Sequence, residues 1–143
     1  MEVMVQQLKE LSIALEEGKK ECDRLVYTVS DPKVRKSILG IELQSVLYAS
    51  ELKEQIQQLG GSVELEPVEI PLKPNRTKES KNLEKEVIGI CRNIERSVIK
   101  FYGRLLQAQI ENDGLRQLIR SQMNGIMRST MHLKLLSKLV YTG

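Results

Sequence analysis

The sequence predicts an all-α domain, an antiparallel four-helix bundle with one long crossover between its second and third helices. Three observations point there. Leu, Ile, Glu, Lys and Gln dominate a chain with no Trp and a single Phe, Phe101. Such side chains lose little rotamer freedom in a helix, whereas a β-sheet would want more aromatic residues. Apolar residues recur at intervals of three and four through four stretches. Finally, the breaks between the stretches are unequal: two are short and one is long.

The helices are predicted at 3–29, 32–59, 79–110 and 114–141. Helix 1 places Leu8, Leu11, Ser12, Leu15, Cys22, Leu25, Val26 and Val29 on one face. Ser30-Asp31-Pro32 ends it, with Asp31 suited to cap helix 2 and Pro32 to its first turn, where a missing N–H costs nothing. Helix 2 carries Val34, Ile38, Ile41, Ser45, Tyr48, Leu52 and Leu59, and Gly60-Gly61 closes it because glycine tolerates the left-handed conformation that terminates helices. Helix 3 uses Val87, Ile90, Cys91, Ile94, Val98, Phe101 and Leu105. Asn112-Asp113-Gly114 separates it from helix 4, with Leu115, Leu118, Ile119, Ile126, Leu133, Leu136 and Val140. Each face needs a neighbour to cover it.

Connection lengths select the topology. The short turns at 30–32 and 111–114 make helices 1–2 and 3–4 antiparallel hairpins. Residues 60–77 hold three of the four prolines and read as one extended connection. A helix of the predicted length is about 42 Å long, and an extended segment of that size reaches roughly 59 Å. The segment is therefore able to run the length of the bundle, which is the ferritin-like connectivity within a single domain over 1–143. A weak internal echo fits: a shift of 79 superposes Leu8 on Val87 and Leu15 on Ile94, and a shift of 80 superposes Ile38 on Leu118 and Val46 on Ile126.

Composition excludes several functions. The formal charge of +3 is spread along the chain without a basic run, so nucleic acid is not an expected partner. No apolar run approaches the ~20 residues a membrane span needs, and the first residues lack a signal-peptide pattern. Cys22 and Cys91 stand far apart in sequence with no Cys-x-x-Cys spacing, which removes zinc-finger and disulfide-scaffold readings. A cytoplasmic protein with two reduced thiols is the expectation.

The echo also aligns polar residues. Ferritin-like carboxylate centres take one Glu from each of two helices and Glu-x-x-His from each of the other two. The corresponding positions here are Glu16, Glu42, Glu95 and Gln122, with Ser45 and Gly125 where the histidines would stand. Three carboxylates and an amide make a poor donor set for iron or manganese, and no cofactor is predicted. The plainer alternative makes these residues boundary charges or a water-filled polar layer. His132, the only histidine, lies about 15 Å along the helix from Gln122 and reads as solvated or capping. Cys22 and Cys91 read as core residues, or as a redox pair if helices 1 and 3 are antiparallel neighbours. Gly18, Gly40, Gly89, Gly103 and Gly125 interrupt predicted helices and suggest close helix approach. Met123, Met127 and Met131 recur every four residues, as core filling or a dimer seam.

Asp31-Pro32-Lys33-Val34, Ala49-Ser50-Glu51-Leu52, Leu59-Gly60-Gly61, the stretch from Glu95 to Tyr102, and Gln122 with Ile126 and His132 resemble a bacterial family of ferritin-like four-helix-bundle proteins of unknown function. The resemblance implies the fold and no particular activity. Without an activated nucleophile, the sequence leans away from catalysis. It favours a scaffold or binding module, self-association through a helix face included, over a metal-binding or redox protein with a reduced carboxylate site.

Overall fold

A computed structural model describes residues 2–62 and 83–141. They form α1 (Glu2–Leu25), a 3₁₀ turn (Val26–Thr28), α2 (Pro32–Gln58), α3 (Leu83–Gln107) and α4 (Asp113–Tyr141). α1 packs on α2 and α3, and α4 packs on the same two, which leaves α1/α4 and α2/α3 as the diagonals of an all-α bundle.

The ends of the helices follow from their local chemistry. The Asp31 carboxylate accepts from the backbone N–H of Lys33 and Val34, both at 3.0 Å, ahead of Pro32. α2 closes in a Schellman motif: Gly60, at φ 83°, donates its N–H to the Gln57 carbonyl and Gly61 donates to Ile56, satisfying carbonyls that a helix end leaves orphaned. Asn112 caps α4 by accepting from the Leu115 N–H at 3.0 Å. α3 stops at Gln107, short of the predicted 110, because Gln109 takes a positive φ of 53° that a helix does not accommodate. The last predicted turn of helix 1 tightens into the 3₁₀ turn.

The two interhelical turns share a device that their sequences conceal. Arg35 donates from its guanidinium to the Val29 carbonyl at 2.9 and 2.6 Å. Arg116 does the same to Ile110 at 2.9 Å. In both, an arginine one turn into the second helix reaches back over the cap to a buried apolar residue of the loop. Val29, Asp31 and Arg35 superpose on Ile110, Asn112 and Arg116 at a shift of 81. The turns therefore set the register one residue beyond the shift of 80 that pairs Glu42 with Gln122.

Helix direction follows from which residues share a core. One apolar cluster joins Leu8 and Leu15 of α1 with Leu52 and Ile56 of α2, Tyr102 and Leu105 of α3, and Leu115 and Ile119 of α4. The other joins Cys22 and Val26 with Val34 and Ile38, Val87 and Cys91, and Leu133. Neighbouring helices thus run in opposite directions, and the diagonal pair α2/α3 runs in the same direction. Gly61 lies against Val5 at one end of the bundle, while Glu84 accepts from the Ser30 N–H and hydroxyl at the other. The Ser30 hydroxyl and N–H hold the Glu84 carboxyl below its ordinary range. The predicted crossover, 60–77, and the predicted start of helix 3 at 79 fall chiefly on residues 63–82, outside the described residues.

Three expectations about faces need correction. Tyr102, rather than Phe101, is the aromatic residue fully buried on α3, while Val140 at the end of α4 is exposed. Only two of the five helix glycines mark close approach: a Cβ on Gly18 would lie 2.7 Å from Ile94 Cγ2, and one on Gly125 would overlap the Tyr48 hydroxyl. Gly40, Gly89 and Gly103 face open space, with nothing within 4 Å of a built Cβ. And Met127 and Met131 stand exposed on α4, so they are not core filling, although exposure is what a seam requires; Met123 packs against the core.

Candidate functional site

The interior is not uniformly apolar. Ser12, Glu42, Ser45, Glu95 and Gln122 are all buried. Glu42 and Ser45 on α2 fall between Ile41 of one cluster and Ala49 of the other, and Glu95 on α3 falls between Ile94 and Val98. Glu42, Ser45 and Glu95 therefore lie where the two apolar clusters meet, while Ser12 and Gln122 lie among residues of the first. Burying a polar group is costly unless it finds a partner, so each of them poses an accounting question.

Gln122 answers it fully. Its Oε1 accepts from the Tyr102 hydroxyl at 2.8 Å, and its Nε2 donates to Glu51 Oε1 at 3.1 Å and to the Tyr48 carbonyl at 3.3 Å. The amide ties three helices together and has no donor capacity to spare. Burial pushes the Tyr102 hydroxyl well above its ordinary value, helped by Tyr48, Glu95 and Glu51. It stays a donor.

Glu95 is only 3% exposed and its Oε2 has no protein partner. Burial alone raises its carboxyl to about 8, so at neutral pH it is mainly a neutral acid. Glu42 is raised to about 7, first by burial and then by the neighbouring Asp23, with Lys19 opposing. Its Oε2 is also unpartnered, as is the Ser12 hydroxyl. Glu16 lies elsewhere: it forms an ion pair with Lys53 on the partly exposed flank between α1 and α2.

Of the four residues aligned by the echo, Glu16 is paired at the surface, whereas Glu42, Glu95 and Gln122 are buried: Glu42 beside Asp23, Glu95 near enough to act on both Cys22 and Tyr102, and Gln122 in the Tyr102 network. Among the described residues, no three His, Cys, Asp or Glu side chains come close enough together to hold a metal ion.

Cys22 and Cys91 lie in the same core cluster, both as free thiols. Close approach of α1 and α3 at Gly18 and Ile94, one turn away, brings them together. The Cys22 thiol is pushed far up by its hydrogen bond with Cys91, then by burial and by the carboxyl groups of Glu95 and Glu42. A nucleophile or metal ligand needs the thiolate, and these surroundings favour the protonated form. His132 is exposed and lines a shallow groove between α2 and α4 with Ser37, Gly40, Ile41, Arg128 and Ser129.

Sequence reasoning missed Tyr102, Glu51 and Asp23. Tyr102 had a signal, since it continues the face of Glu95 and Val98 at helical spacing. Asp23 and Glu51 had none, because their roles depend on which helix lies beside them.

The outer surface offers a second feature. Met127, Met131, Leu135 and Leu139 follow one another at intervals of four along α4 and are 47%, 52%, 54% and 82% exposed. Leu43, Val46 and Leu47 are exposed on α2. No helix among the described residues is long and apolar enough to cross a membrane. Compared with protein-family models and with curated proteins, the sequence matches none.

Proposed function

We propose that this chain is a non-catalytic helical binding module that presents the outer faces of α2 and α4 to a protein partner. The observation that carries the reading is the row of four exposed apolar side chains on α4. A soluble helix ordinarily turns charged or polar residues outward, and contiguous exposed apolar surface marks an interaction site more often than not. The Cys22 thiol, held protonated, and the neutral Glu95 add support, because neither is an activated nucleophile or base. The ferritin-like connectivity requires the second and third helices to run in one direction, as α2 and α3 do, and the family resemblance implies no particular activity. The free thiols fit a cytoplasmic setting.

Photocrosslinking tests the proposal. A photoreactive residue at Leu135, introduced in the source cell, should give one discrete heavier product, and the same residue at the exposed Lys20 of α1 should not. Equal, diffuse labelling from both positions would defeat it.

A second reading, a metal-binding or redox protein with a reduced carboxylate site, draws on the unpartnered Oε2 atoms of Glu42 and Glu95. Anaerobic titration with Fe(II) and Mn(II), followed by desalting, separates the two. Stoichiometric retention abolished by Glu42→Ala or Glu95→Ala would favour the second.

A further inference from the structure

We infer that the partner of the α4 face is an acidic amphipathic helix, which lays its apolar side on Met127, Met131, Leu135 and Leu139 and sets its carboxylates against Arg120, Arg128 and Lys134. This rests on the binding-module reading and adds the chemistry of the partner.

The charge of α4 is one-sided. After Asp113 in its first turn, the helix contains no Asp or Glu as far as Tyr141. It carries Arg116, Arg120, Arg128, Lys134 and Lys138. Arg116 is committed to Ile110 and Asp113. Arg120 and Arg128 are exposed and Lys134 is partly exposed. The apolar row is therefore set among cations of one sign, although α1, α2 and α3 all mix both signs. From Met127 to Leu139 the row covers roughly 18 Å of helix axis, a length that apolar anchors at positions i, i+4, i+7 and i+11 of a docked helix match.

A second copy of this chain fits less well, because a two-fold contact through this face sets the same cations of both copies together. An anionic membrane complements the charge, but α4 offers a row of Leu and Met without Trp or Phe, and the rest of the helix is held in the bundle.

The test uses the full chain and two fluorescent helical peptides of about 18 residues, enough to cover the row. One has Leu at the anchor positions and Glu elsewhere; the other replaces every Glu by Lys. The acidic peptide should bind, weaken as salt rises, and lose about tenfold in affinity or more with Met131→Glu/Leu135→Glu and with Arg128→Glu/Lys134→Glu. Circular dichroism should leave both variants folded, since the substituted side chains do not belong to the core.

Four results would overturn the inference. Equal binding of the Lys peptide, or none by either peptide, removes the acidic specificity. Binding confined to phosphatidylglycerol vesicles assigns the face to a membrane. Dimerisation abolished by Met131→Glu/Leu135→Glu assigns it to a second copy. Acidic-peptide binding that appears only when Glu64, Glu66 and Glu69 are all changed to Gln assigns it to this chain's own acidic segment. If crosslinking at Leu135 captures a partner while the acidic peptide fails, the binding-module reading stands and the partner chemistry alone is wrong.

Discussion

Replacing Glu95 with Gln exchanges the buried acid for a neutral group of nearly the same shape. In the folded protein the Glu95 carboxyl is raised from 4.5 to about 8 by burial. The native state therefore holds a proton that the unfolded chain releases between those values. Where the native state binds more protons, stability falls as pH rises. The contribution is greatest below about pH 4.5, declines through the window to about 8 and is flat above it. At 1.36 kcal/mol per unit, the three units from pH 5 to 8 correspond to about 4 kcal/mol. That is a large part of the roughly 5–15 kcal/mol that holds a domain together. Urea unfolding followed by circular dichroism at pH 5, 6, 7 and 8 measures it. Wild type should lose stability steadily over this range, and Glu95→Gln should lose about 4 kcal/mol less. A constant offset between the two proteins at all four pH values reports only the amide's own hydrogen bonding. Parallel pH profiles would refute the claim that Glu95 is a neutral acid in the folded interior. Glu42, raised to about 7, gives the Glu95→Gln variant a residual slope of the same sign.

Gly40→Ala, Gly89→Ala and Gly103→Ala should each raise stability by about 0.5–1 kcal/mol, because their Cβ atoms enter open space. Gly18→Ala should lower it through the clash with Ile94, so thermal melts should split the four variants by sign. Asp31→Ala and Asn112→Ala each remove a cap acceptor and should cost about 1 kcal/mol in urea titrations; equal loss at the two turns would follow from their shared construction. Cys22 and Cys91 should resist iodoacetamide in the folded protein and react completely in urea, as intact mass will show, because both are buried and the Cys22 thiol is held protonated.

The cap residues were the most legible part of the chain. Asp31-Pro32 and Gly60-Gly61 act through their immediate neighbours, so their structure can be read from a few adjacent letters. The aligned set of three carboxyl groups and an amide was legible as a pattern but not as a site. An echo between amphipathic helices tolerates a slip of one residue without losing its apolar matches. A single residue turns a side chain by about 100°, so an echo of this kind does not say which polar groups meet. Tyr102 and Phe101 differ in the same way: Tyr102 continues the face of Glu95 and Val98 and is fully buried, while Phe101, one residue away, is only partly buried against the core.

By itself, the sequence determined the four helices, the caps at Asp31 and Gly60-Gly61, and the two hairpin turns. These follow from interactions within a few residues, or from a periodicity that any covering neighbour satisfies. Tertiary structure decided which side chains meet: Cys22 with Cys91, Gln122 with Tyr102 and Glu51, Glu42 with Asp23, and Glu95 with no protein partner at its Oε2. It also decided that the row on α4 stays outside. Rotation and axial offset between packed helices set those meetings, and both arise from the whole core at once.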